Sequence, residues 1–495
     1  MHVSKVDLAI LLGYMAVTTI VGISFAKGEK ETLDDFLLAD RKANRFLIGI
    51  SIFSALFSAA TYLGAPAEVF LHSFSYALVL LGLIWATVIT AFVFLPRFLL
   101  PGVFSAYEIL ERKSSKAIRL IGSLSFIFRG LLWLAIAVYA PALALEQLAG
   151  IPMHLALIAN AVLATFYTTL GGMRGVIWTD LLQCVVLIGG QVTILLTVLL
   201  RIPGGLPAVL EIAAKGHKFA LSTSFDPHVR ITIWGLLIGG GVGFLIQMAT
   251  DQIAVQRYLS VRNLAEARQS LWVKLGISLP VVTVFYFTGV ALYAFYRLHV
   301  DPLAAGQVRS ADQILPYFVR HELPIGMPGL LAAALSSASM SAVSGGLNAM
   351  VTVTLTDIPA SLGRWQSVSL NTRLTAARIL TVLYGLVVLG LSFVAERFGT
   401  LVQGTAAIIG IAGGPLLGIF VLALASWRTK GWVMAAAFGL GNAFVLAVAE
   451  LTTCSFLWYG PIGLFATVLV GLLCHSLDAS RDARGLATTR AIKNQ

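Results

Sequence analysis

Five serines, Ser336, Ser337, Ser339, Ser341 and Ser344, punctuate the uncharged stretch 326–350, GMPGLLAAALSSASMSAVSGGLNAM. Hydroxyls set among alanines and glycines on a helix have two uses. They allow close packing while bonding back to carbonyls one turn earlier, or they supply hard oxygen ligands to a cation. Two ionisable residues also fall inside apolar runs, where a charge is expensive and must be paired, hydrated or matched to a ligand. Asp180, in WTDLLQ, is a partner in waiting for a nearby arginine, with Gln183 close to one turn on. Arg129, in SLSFIFRGLLWLAIAVYAPALAL, lies ten residues past Arg119. That is roughly 15 Å along an upright helix, near mid-bilayer. It either pairs with a buried acid, for which Asp180 is the candidate, or meets an anionic ligand directly.

These side chains need a membrane scaffold. Of the 495 residues, 58% are hydrophobic and 12% charged, where a soluble chain carries about 25% charged residues. Thirteen apolar runs of spanning length lie between residues 7 and 476, so an all-α polytopic membrane protein is expected. The first run, with no basic segment before it, reads as a retained helix and not a signal peptide. Cys184, Cys454 and Cys474 are scattered without metal-ligand or disulfide spacing.

The net charge of +11 does not point to nucleic acid, because the basic residues collect in alternate connections. They include Lys27, Lys30, Arg41, Lys42 and Arg45 after the first run, Arg257, Arg262, Arg268 and Lys274 after the seventh, and Arg428 and Lys430 after the eleventh. The positive-inside rule then places those loops and the carboxyl terminus in the cytoplasm and the amino terminus outside a cell membrane. A short polar tail, 477–495, is expected to be mobile.

Two runs carry helix-breaking residues at mid-span: Gly64 and Pro66 in 46–70, and Gly239, Gly240, Gly241 and Gly243 in 230–250. Paired interruptions in corresponding places of two halves point to a secondary transporter's site. Each interrupted run heads five helices, and an odd number per repeat inverts the second copy. The expected organisation is a first helix and loop (1–45), one repeat (46–200), an external loop (201–229), a second repeat (230–426), two further helices (427–476) and the tail.

From residue 33 to 425 the chain resembles the sodium:solute symporter family. The likeness is carried by DDFLLADRKANRF, TYLGAPAEVF, YEILERKSSKAIRLIG, VYAPALALEQLAGI, YTTLGGMRGVIWTDLLQ, DQIAVQRYLSVRNLAEA, LNAMVTVTLTDI and GGPLLGIF, in that order. The wording of YAPALAL and GGPLLGIF is most similar to the branch of monocarboxylate, iodide and multivitamin transporters. The resemblance implies a five-plus-five inverted-repeat core, similar to the leucine-transporter architecture, working by alternating access.

It also implies a sodium site built from the carbonyls of Ser54, Phe57 and Ala338 and the hydroxyl of Ser341. The family's next position is usually Ser or Thr, but here it is Ala342, which removes one expected ligand; Ser58, Ser337 or water are the substitutes. Asp180 falls at a position the family uses for cation handling, with Gln183 and Ser58 on the same path.

Substrate contacts are expected by position beside the two breaks and on the third core helix: Thr61, Tyr62, Phe244, Gln247, Met248, Trp133 and, in its recognition role, Arg129. Glu68 and Asp251 read as solvated carboxylates at helix ends, Gln252 and Gln256 as inner-gate residues, and His72 and His154 as membrane-interface residues. No HExxH pair or nucleophile elbow points to an enzyme. The expected function is sodium-driven import of a small organic anion, in the first instance a monocarboxylate, with no organic cofactor and no obligate protein partner. Another small solute (a vitamin, an inorganic anion, a sugar or an amino acid) or a passive, channel-like route is the alternative.

Overall fold

In the computed structural model, which describes residues 4–25, 32–100, 102–362, 370–425 and 429–493, the described residues form helices and connections with no strand. Lys27, Lys30 and Arg428 of the basic loops lie outside the described residues. In hydrocarbon every backbone N–H and C=O must be satisfied within the protein, which apolar helices do unaided.

The spanning elements are α1 (Lys5–Ile23), a bent pair α2 (Arg45–Leu56) and α3 (Ala59–Leu71), α4 (Val79–Ile89, within the span Phe74–Phe98), α5 (Lys116–Ala149) and α6 (Met153–Arg201). Outside the span, α7 (Gly205–Lys215) occupies the loop that follows. A second bent pair comprises α8 (Gly241–Ala249), entered through a π-helical turn at Gly235–Gly240, and α9 (Gln252–Leu259). Then come α10 (Leu264–Leu298), α11 (Met327–Leu362), α12 (Leu370–Ser392), α13 (Leu401–Leu424), α14 (Gly431–Leu451) and α15 (Tyr459–Lys493). With each bent pair counted as one span there are 12 candidate spans among the described residues. Gly172, at φ 53° and ψ −158°, divides the 49-residue α6 into two, which recovers the expected thirteen. A side chain there would meet Phe36, with ring and carbonyl atoms 2.9–3.0 Å from an added Cβ, so the turn requires glycine for both its backbone and its space.

Both breaks lie elsewhere than the helix-breaking residues suggested. The first pair bends by 64° at Phe57 (φ −93°, ψ 93°) and Ser58 (φ −82°, ψ 163°), while Gly64 and Pro66 sit inside the continuous helix α3. Proline removes one hydrogen bond, but packing against neighbouring helices holds the turn together. The second bends by 49° at Thr250 and Asp251, whose side chain caps α9 by accepting from the Ile253 N–H. The glycine cluster remains helical. Its role is close approach: Cβ atoms on Gly240 or Gly241 would strike Val79 or Trp85.

The serine-bearing helix α11 is central. Of its most apolar window 94% is buried, against 28% for α12 and α14 at the periphery. It packs chiefly on α5 and α6, and its amino terminus is held by Asp7 of α1, whose Oδ1 accepts from the Gly326 and Gly329 N–H groups at 2.9 Å each. In the tail α15 continues as helix to Lys493. The sequence SRDARGLATTRAIK contains no proline and is rich in good helix formers.

Candidate functional site

Four helices meet at one carboxylate. Asp180 of α6 is fully buried; its Oδ1 accepts from the Ser341 hydroxyl of α11 at 2.6 Å, and its Oδ2 from the Arg257 guanidinium of α9 at 2.9 Å. The hydroxyl of Ser51 on α2 also donates to Oδ2. Arg257, equally buried, donates in addition to Ser51 Oγ at 2.7 Å and to the Ile253 carbonyl at 2.8 Å. Both broken spans are therefore tied to the serine-bearing helix through a single charge pair whose hydrogen-bonding capacity is largely used.

Beside this junction the backbone of α2 gives out. With residues 57 and 58 extended, the carbonyls of the last helical turn lose regular i+4 partners, and the next turn restarts when the Tyr62 N–H bonds to the Ser58 carbonyl. The Ser54 and Ser58 hydroxyls close by are buried and find no partner among the described residues. Across the junction Ser337 donates to the Gln183 carbonyl at 2.8 Å, and Tyr167 to the Met340 carbonyl at 2.9 Å. A Cβ placed on Gly345, one turn beyond Ser341, would lie 3.3 Å from that of Ala55, so α11 runs directly against the end of α2. Of the expected ion-site residues, Ser341 bonds Asp180, Phe57 stands at the break between the buried Ser54 and Ser58 hydroxyls, and Ala338 is fully buried on α11. Hydroxyls and carbonyls are hard neutral oxygens, and the carboxylate beside Ser341 is paired with Arg257. Ala342 is fully buried and contributes no oxygen from its side chain.

Three sequence expectations are overturned here. Arg129 does not pair with Asp180; its guanidinium bonds Asp251 Oδ2 at 2.8 Å, and both residues are almost fully buried. Asp180 is already satisfied by Arg257, and Asp251, the cap of the second break, needs a counter-charge. Asp251 is accordingly not solvated. Neither is Glu68, which is buried and paired with Arg230 at 2.7 Å. Gln256, by contrast, bonds the Leu37 carbonyl, Asn348 and Thr352, tying α9 to α11 and the first internal loop.

Two adjoining cavities, one somewhat smaller than the other, lie between the bent pairs and α10, α13 and α5. Thr61, Phe244 and Gln247 line both, and Trp133 and Met248 line the smaller. Tyr62 lines neither: it is fully buried, edge-on to Phe285 at 4.6 Å. Arg129 also stays outside both linings. The residue that sequence reasoning missed is Lys274, which lines the smaller cavity and is only 5% exposed. Its place in the sequence assigns it to the basic loop, yet α10 starts ten positions earlier, at Leu264, and carries it inward. The signal was its setting in LWVKLGI, apolar on both sides. A third cavity is lined by Glu68, His72, Arg230 and Asp312 at the end of the bundle that carries α7. Burial pushes the Asp312 carboxyl up to about 6, against the Leu401 N–H that it accepts.

Residues 36–437 match the family model described as the sodium:solute symporter family. Sodium-coupled monocarboxylate transporter 1 of Mus musculus is 34% identical over 424 residues, which is 84% of this chain and 69% of that protein. The sodium/iodide cotransporter of Homo sapiens is 32% identical over 490 residues, covering 97% and 74%. Among solved structures, a Na+-coupled sialic acid symporter in a substrate-bound outward-open state superposes with a TM-score of 0.86 at 28% identity, covering 96% of this chain and 98% of that one.

Proposed function

The chain belongs to the sodium:solute symporter family, a family of transporters and not of enzymes, and from that premise we propose that it imports a small organic anion, a monocarboxylate in the first instance, driven by sodium. The fold is the five-plus-five inverted-repeat core with a helix before it and two after. The observation that carries the reading is the junction at Asp180. One carboxylate holds Ser51, one turn before Ser54, and Ser341 together, beside a break that frees backbone oxygens.

Sodium would be held by the carbonyls of Ser54, Phe57 and Ala338 and by Ser341 Oγ, with Ser58 or water at the place left by Ala342. Asp180, its charge balanced by Arg257, orients Ser341. A cation at that point draws α2 and α11 together and favours the conformation in which the cavity beside Thr61 and Gln247 is formed; its release loosens the same contact. Solute and ion thereby share one conformational equilibrium, and each raises the other's affinity. The amino terminus faces outside a cell membrane and the carboxyl terminus the cytoplasm, following the basic loops.

The test is uptake into proteoliposomes of lactate, pyruvate, acetate, propionate, iodide, pantothenate, proline and sialic acid, each with an inward sodium gradient and with choline in its place. Accumulation of a carboxylate only under the sodium gradient supports the reading. Uptake indifferent to sodium would give the molecule a passive role.

A further inference from the structure

Most deep cations of this protein have an acid: Arg119 has Asp357, Arg129 has Asp251 and Arg257 has Asp180. Lys218, also buried, is instead held by the carbonyls of Val69, Phe70 and His72 at 2.6–3.3 Å. Lys274 has neither. Its ammonium lies 3.7 Å from the Met248 sulfur and 5.8 Å from the centre of the Phe244 ring, and among the described residues no carboxylate comes within 4.0 Å. A thioether and an aromatic face interact weakly with a cation compared with the hydration that burial removes. A permanently unsatisfied charge at this depth would be selected against unless something brings it a counter-charge.

We propose that Lys274 is the recognition residue for the transported anion, and that the site takes a monoanion whose carboxylate rests against this ammonium. The inference rests on the proposed symport of an organic anion and adds where the charge is read. Among the described residues Lys274 is the one charged side chain lining the two adjoining cavities, and no acid lines either. A second carboxylate on the solute would enter without a partner, and so would the ammonium of a zwitterion. The neighbouring walls, Trp133, Phe244 and Met248, suit a short apolar body, while Gln247 and Thr405 can bond one hydroxyl or keto oxygen. Arg129, held by Asp251 outside the linings, is left with the structural role.

The experiment uses the full-length protein, with propionate and its uncharged isostere propionamide as probes. In the wild type, propionate is accumulated under a sodium gradient and competed by other short monocarboxylates but not by the amide. Lys274→Met should raise the propionate KM by about tenfold or more, the scale of a lost hydrogen bond between charged groups. Lys274→Arg, which keeps the charge, should lie between the two. The thermal shift produced by sodium alone should be the same in all three, which establishes that the variants fold and that the ion site is intact. Where Lys274→Met does not fold, Lys274→Gln and the acid-against-amide competition in the wild type decide in its place. A wild-type KM in a folded Lys274→Met or Lys274→Gln protein, or an amide that competes as well as the acid, overturns the inference alone. A wild type that accumulates no carboxylate under a sodium gradient overturns the functional reading beneath it.

Discussion

Ser341 donates its hydroxyl proton to Asp180 at 2.6 Å, and the same carboxylate takes the Arg257 guanidinium at 2.9 Å. The hydroxyl proton is thereby committed to Asp180, which leaves the oxygen's lone pairs to accept, with the orientation fixed by a group that is itself fixed. Removing the negative charge while keeping the shape, as in Asp180→Asn, leaves Arg257 buried without a counter-ion. Breaking such a pair costs about 3–5 kcal/mol. We expect a marked loss of thermal stability, measured in detergent by intrinsic fluorescence. The double variant Asp180→Asn with Arg257→Met should be more stable than Asp180→Asn alone while remaining unable to couple sodium to uptake.

Ala342, where the family resemblance implies a serine or threonine, is fully buried and follows Ser341 in the chain. A serine there adds one oxygen and little volume. Ala342→Ser should lower the sodium concentration needed for half-maximal uptake by several-fold with little change in solute KM at saturating sodium. An unchanged sodium dependence would place the ion elsewhere.

The helical membrane fold, the number of spans and the central place of the serine-bearing helix were legible because they rest on long apolar runs and on composition. The break points were not. Gly64, Pro66 and the cluster from Gly239 to Gly243 are the strongest helix breakers by propensity, yet all lie in continuous helix, because neighbouring helices supply the packing that keeps each turn closed. The real breaks fall at Phe57–Ser58 and Thr250–Asp251, and only in the second does a side chain, Asp251, cap the helix that follows. The partner of Arg129 was illegible for a related reason. Which acid meets which base depends on how α5 crosses α9, and no spacing along the chain encodes that. Lys274 was misread because a lysine near the start of a spanning run reads as a boundary marker, when α10 in fact begins almost three turns earlier.

Asp312 gives a pH signature outside the membrane-spanning segments. Its folded carboxyl titrates at about 6, above the ordinary 3.8, chiefly because burial disfavours the anion. The folded protein thus binds the proton more tightly than the unfolded chain. Between about pH 4 and pH 6 this group's contribution to stability falls as pH rises, and above that window the whole penalty of the buried anion is in force. Asp312→Asn, whose amide oxygen can still accept from the Leu401 N–H, should remove that part of the slope in melting temperature against pH. It should leave the protein at neutral pH no less stable than the wild type. A melting curve of Asp312→Asn that keeps the wild-type slope across this window would mean that another group titrates there.

The Arg129–Asp251 pair separates a structural charge from a recognition charge. Asp251 caps α9 through Oδ1 and accepts Arg129 through Oδ2, so the guanidinium braces the second break and touches neither adjoining cavity. Arg129→Ala leaves a buried aspartate with one oxygen unpaired and a gap beneath Phe126, over whose ring the guanidinium lies at 5.9 Å. A loss of about 3–5 kcal/mol is expected. Pairing Arg129→Met with Asp251→Asn removes both charges, keeps the cap on Ile253 and fills the space, so most of that stability should return. The decisive readout is binding: the folded double variant should retain a propionate affinity within about threefold of the wild type, since no group that meets the solute has changed. Its transport rate should nevertheless fall, because the second break no longer has a charged brace to hold its angle through the conformational cycle. If the propionate affinity of the folded double variant instead collapses while Lys274→Met binds normally, the anion is read by Arg129, and the assignment of the two cations must be exchanged.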